Sequence, residues 1–182
     1  MRLPFQRGLP PKSPWAQILS TSGLVAAYLP YMDGSGQSLT DWTGLGNDRQ
    51  LGSTAGVDAD DPEWGTGGKW LTFDGVDDII ADGPSATTTW TLLGDPQGNA
   101  LGWVRGKRTN VGGRLYAELR FNRVPTEAER VKLFRNVQTL LVGQGVTGTF
   151  YDWAYPIPCT TGVMDFSLVN GLNRLWVAPE GT

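Results

Sequence analysis

The 182-residue chain contains no histidine and a single cysteine, Cys159. Without imidazole there is no Ser-His-Asp or Cys-His nucleophile system, no histidine general base and no His-ligated metal. One cysteine can form neither an internal disulfide nor a thiolate cage, so stability must come from packing. Charged residues make up 18% of the chain, which is low for a helix-rich protein. No segment approaches the roughly 20 apolar residues of a membrane span. The opening MRLPFQRGLPP also lacks the apolar stretch of a secretion signal. These absences predict a chain made in a cytosol with no membrane partner.

What is abundant points to strands and turns. Glycine accounts for 25 residues and proline for 12, hydrophobic residues for 40%, and eight tryptophans raise the aromatic content to 10%. This composition excludes a largely disordered chain and favours many short strands. The net charge of -3 is unevenly spread: residues 1 to 95 hold twelve acids and five bases, residues 96 to 182 six acids and ten bases. Without a dense Lys/Arg run, nucleic acid is not expected as a partner. The basic residues between Arg105 and Arg123 are expected to pair with the acidic half or with a neighbour's acidic face.

Along the chain, residues 1–22 carry Pro4, Pro10, Pro11 and Pro14 with no helical or strand period, and read as an extended docking arm. Leu3, Phe5, Leu9, Trp15, Ile18 and Leu19 are too apolar for an idle terminus, and stiff proline segments lose little entropy on docking. Residues 23–31 read as a buried strand ended by Pro30. Residues 69–74 form a strand that Asp74-Gly75 turns into a second, 76–81. Residues 86–93 and 100–105 are further β-rich runs. In 114–122, alternation places Leu115, Ala117, Leu119 and Phe121 on one face of a half-buried strand. One helix is expected over about 126–141. It opens with the Thr126-Glu129 spacing of a capping box, and its apolar stripe runs through Ala128, Val131, Phe134, Val137 and Leu141. Residues 142–182 return to short strands as a β-rich extension that packs on the body, 23–141, or on a neighbour.

The pattern predicts an all-β fold, an antiparallel β-sandwich with one short α-helix and an extended N-terminal arm. GLVAAYLPYMDGSG, DWTGLGNDRQL and WLTFDGVDD, followed by ELRFNRVPTEAERVKLF, resemble in order the opening and closing motifs of concanavalin A-like, laminin G-like jelly rolls. The resemblance covers roughly residues 23–136. The interval between its two motifs is short for that family, which implies a shortened jelly roll. Domains of this type with a short Pro-rich arm are frequent in tailed-phage virions. The resemblance therefore implies a non-enzymatic structural protein of such a virion, made in the host cytoplasm: most of all a capsid decoration or cement protein, otherwise a tail or fibre component. The alternative it implies is a glycan-binding adhesin module for host-surface attachment.

Retaining glycan hydrolysis needs two carboxyl groups about 5 Å apart, and the five glutamates form no alternating array on one strand. No catalytic residue is assigned. Asp58, Asp60 and Asp61, and likewise Asp74, Asp77 and Asp78, offer hard oxygen ligands of the kind calcium takes. Aspartate is equally an ordinary turn former, so no metal and no cofactor is assigned. The tryptophans could stack on sugars but more often fill cores. The interface residues expected are Phe5, Leu9 and Trp15 as anchors, with Arg105, Arg108 and Arg120 facing acidic surface on other virion subunits or on further copies of this chain. Deleting residues 1–19 is expected to leave a folded domain that no longer assembles.

Overall fold

The computed structural model describes residues 13–106 and 113–151. Its elements are α1 (Pro14–Leu19), β1 (Leu24–Tyr28), α2 (Pro30–Asp33), β2 (Ser38–Leu39), β3 (Arg49–Gln50), β4 (Glu63–Trp64), β5 (Leu71–Phe73), β6 (Thr88–Gly94), β7 (Ala100–Arg105), β8 (Gly113–Phe121), α3 (Glu127–Gly143) and β9 (Thr149–Tyr151), with a 3-10 turn at Thr66–Gly68. Most elements are strands, in a mixed sheet with three α-helices, so the β-rich expectation holds at that level. β8 is the axis of the main sheet. It pairs along one edge with β6, and along the other with β5 near its start and β1 near its end. The order runs β4-β5-β8-β6-β7-β9, and β2 and β3 form a separate two-stranded ribbon.

Both faces of this sheet are covered. One face carries Trp90, Leu92, Leu101, Trp103, Ala117, Leu119 and Phe121 against Leu133, Phe134, Val137 and Leu141 of α3 and Ile18 of α1. The other carries Ala26, Tyr28, Leu71, Phe73, Leu93, Val104 and Leu115 against Leu39 and Leu51 of the turn-rich layer. Double coverage explains why the central strands read as apolar runs. It also corrects the half-buried reading of residues 114–122: from Leu115 to Phe121 every side chain is buried. A bulge further splits the expected apolar face. Leu92 pairs with Ala117 but Leu93 with Leu115, which leaves Tyr116 as the extra residue. An extra residue reverses the in-out alternation, so Leu115 faces the turn-rich layer while Ala117 faces the helices.

Other differences have equally local causes. Residues 14–19 are helical, not extended, because Ser13 accepts from the Ala16 N–H as an N-cap and Pro14 occupies the first helical position, where no donor is needed. Pro30 ends β1 as expected but starts α2 in the same way. The Asp74-Gly75 turn forms, with Gly75 at φ 84°, yet residues 76–81 do not return as a strand beside β5. Ile80 bridges Leu51 instead. The pairing of β7 with β9 is parallel, so the sheet is not purely antiparallel. The capping box of α3 is present in full, and Arg123 bonds both Glu129 oxygens. The buried stripe of α3 is Leu133, Phe134, Val137 and Leu141; Ala128 is exposed. Phe134 stacks on Trp103 at 4.2 Å and meets Trp90 edge-on at 5.4 Å. No helix among the described residues is long and apolar enough to cross a membrane.

Candidate functional site

The turn-rich layer between α2 and β6 owes its shape to polar groups that replace regular pairing. Asp41, 3% exposed, accepts from the Ala27 N–H on β1 and from the Thr43 and Asn47 N–H groups of its own loop. Beneath this layer Glu118 of β8 is 2% exposed and accepts from Arg49 Nη1 at 2.9 Å and Arg120 Nε at 2.6 Å. The same guanidiniums donate to the carbonyls of Ile80, Ala81 and Pro84. Segment 80–84 is thereby tied to the sheet by charge-assisted bonds, which are shorter and stronger than neutral ones. Tyr28 lies beside Arg49, and its hydroxyl, which donates to the Asn47 carbonyl, is pushed up to about 12 by burial.

At the β4–β5 edge this layer leaves a recess of about 850 Å³. One wall is the 33–37 loop. Trp64 Nε1 donates to the Gly36 carbonyl at 2.7 Å, and Gly68 lies so close to Gly34 that a Cβ there would meet its backbone at 2.3 Å. The other walls carry Asp58, Asp61, Glu63, Asp74 and Asp78, with Val57, Ala59 and Pro62 between them. Five carboxylates thus share a cavity whose remaining lining is largely apolar. Val57 (83% exposed) and Val76 (75%) stand in solvent on the two aspartate-bearing loops.

Each aspartate cluster brings three carboxylate oxygens within 4.8 Å of one another, and either trio could hold a hard divalent cation. Turn formation already employs several of these oxygens. Asp58 accepts from the Thr54 hydroxyl, Asp61 from the Asp58 N–H, Asp78 from the Asp74 N–H, and Asp74 from the Val76 N–H at 2.7 Å. The last bond holds the Asp74 carboxyl below the usual range. Among the described residues Gln37 Oε1, Asp58 Oδ1 and Asp61 Oδ1 are buried without a hydrogen-bond partner, the two aspartate oxygens lying against Gly52.

The expected interface residues fall in different places. Phe5, Leu9 and Arg108 lie outside the described residues. Trp15 is half-buried on this chain's own helix-side core, and Arg105 ends β7 exposed. Arg120 is an interior residue, 5% exposed, and cannot face a partner: alternation put it outward, but the second layer covers that face. Sequence reading weighed the two aspartate clusters separately and missed that they line one cavity. The signal was their spacing on either side of the short strands 63–64 and 71–73. Family models, curated proteins and solved structures were all compared with the chain, and none matches it.

Proposed function

We propose that this protein is a non-enzymatic structural component of a tailed-phage virion, a shortened laminin G-like jelly roll whose work is adhesion to other virion subunits, most of all as a capsid decoration or cement protein. The observation that carries the reading is the face around the recess, where Val57 and Val76 project from the two aspartate-bearing loops beside a cavity lined by carboxylates and apolar groups together. Exposed apolar groups within a polar rim are the usual composition of an association site. The turns beneath them are braced by the buried Arg49–Glu118–Arg120 cluster, so the face is presented pre-shaped and little order is lost on binding. The laminin G-like resemblance of residues 23–136 supplies the virion setting.

The test is co-sedimentation of the purified chain with emptied particles of a tailed phage that carries its gene. Saturable binding that Val57→Asp with Val76→Asp reduces at least tenfold is expected. Wild-type chain left wholly in the supernatant would refute the reading. A second reading, a glycan-binding module, is favoured by Trp64 and Gln37 beside carboxylates in one recess. Specific saturable signal on a glycan array, abolished by Trp64→Ala, would establish it in place of the first.

A further inference from the structure

We propose that residues 37–52 and 76–84 form a lid over the turn-rich face of the sheet, latched by the Arg49–Glu118–Arg120 cluster, and that this lid opens as a unit while the helix side stays folded. The two stretches hold each other. Ser38 and Leu39 pair with Gln50 and Arg49, Ile80 bridges Leu51, and the Gly52 and Ala81 N–H groups donate to the Ile79 and Gln50 carbonyls at 3.0 and 2.9 Å. Three short segments thus make a small sheet of their own across the main one. Arg49 reaches down to Glu118, Arg120 reaches up to the Pro84 carbonyl, and Trp42 adds a backbone bond to the Ala27 carbonyl of β1 at 3.0 Å.

What fastens the lid differs in kind from what fastens the helices. On the helix side Leu133, Phe134, Val137 and Leu141 of α3 are buried together with Ile18. The lid brings Leu39 and Leu51 as its fully buried apolar side chains, with Ile80 half-buried. Charge has the opposite distribution. Asp41, Arg49 and Asp78 lie in the lid and Glu118 and Arg120 in the strand beneath it, and these are all the charged residues buried among those described. Closing the lid strips water from a cluster that keeps a formal charge of +1, and it leaves Arg120 Nη2 buried with no partner among the described residues. Desolvated ion pairs and unpaired donors are costly, and opening returns them to water. A region with few buried apolar groups opens below the free energy of the core, and short paired segments do not hold together once undocked. The open form bares Tyr28, Leu93, Val104 and Leu115 of the sheet. It also dismantles the recess, whose lining includes Gln37 and Asp78 of the lid. The lid thus sets whether the face proposed above is present, and it stands independently of what that face binds.

The test is native-state hydrogen exchange of the full chain in urea below its unfolding transition. The Trp42, Leu51, Gly52 and Ala81 amides, all bonded within the lid or from it to β1, should exchange through one shared opening. That opening should occur at least a hundredfold more often than the one that frees the Phe134 and Val137 amides of α3. Val137→Ala should speed the α3 amides at least tenfold and leave the lid amides within twofold of wild type, because its cost falls equally on the closed and open forms. Glu118→Gln removes the charge of the latch and should speed lid exchange at least tenfold. Arg49→Met acts from the lid's side, leaves Glu118 paired with Arg120, and should do the same if the glutamate variant does not fold. Lid and α3 amides sharing a single opening in the wild type, lid amides that follow Val137→Ala, or lid exchange unmoved by a folded latch variant would each overturn the proposal.

Discussion

Replacing Glu118 should be the most damaging single change among the buried polar residues of the sheet. Its carboxylate is 2% exposed and is shared by two guanidiniums that are each about 5% exposed. The three residues carry a formal charge of +1, and Glu118→Ala raises the buried charge to +2 with Arg120 Nε and Arg49 Nη1 left without their acceptor. Breaking a buried pair by removing one partner costs roughly 3–5 kcal/mol, against about 5–15 kcal/mol for a whole domain. With a urea slope of about 2 kcal/mol per molar, the unfolding midpoint should fall by about 2 M, read through the buried Trp90 and Trp103. Glu118→Gln keeps an acceptor and should lose less. Adding Arg49→Met to Glu118→Ala should recover part of the loss, because it removes one of the stranded charges. A midpoint shift below about 0.3 M for Glu118→Ala, or a double variant weaker than the single by the full cost of Arg49→Met, would refute the assignment of the cluster as the brace of the turn-rich layer.

Phe134→Ala removes a ring stacked on Trp103 and edge-on to Trp90 and should destabilise by about 3–5 kcal/mol in denaturant unfolding, with a change in near-UV circular dichroism. Gly68→Ala must adopt φ +68° and meets the Gly34 backbone at 2.3 Å, so a loss of more than about 1 kcal/mol is expected; an unchanged melting temperature would contradict the contact. Glu129 is lowered from 4.5 to about 2 by Arg123 first and by the Thr126 N–H second. A lowered folded value means that its stabilisation is complete above 4.5 and is lost as pH falls toward 2. Thermal melts between pH 6 and 2 should therefore decline less steeply for Glu129→Gln than for the wild type.

Much of the fold was legible because its signals are local. Thr126 and Glu129 announce the helix start, Pro30 ends β1, and the apolar runs 88–94 and 100–105 are strands because both sheet faces are covered. What escaped depends on tertiary partners. The β8 bulge at Tyr116 leaves no mark in the sequence, since Leu115, Tyr116 and Ala117 fit either face, and only the register with Leu92 and Leu93 decides. Residues 76–81 carry a hairpin signal, but Asp74, Asp77 and Asp78 form a turn-stabilised loop and Ile80 finds Leu51. Local turn chemistry and a non-local bridge together outweigh β propensity there. The helical stretch 14–19 hid behind its prolines, although Ser13-Pro14 is a legitimate helix start.

That short helix changes where the expected N-terminal arm can end. Ile18 is fully buried and joins the α3 core, and Trp15 packs against the same cluster. Deleting residues 1–19 would therefore open a cavity and cost roughly 2–5 kcal/mol for the isoleucine alone, so it confounds loss of assembly with loss of fold. The separable segment ends at Lys12, just before the Ser13 cap. Within it every charge is positive, and the described surface concentrates five negative charges in one recess. Arg49, Arg120 and Arg123 are each paired with glutamates inside the domain.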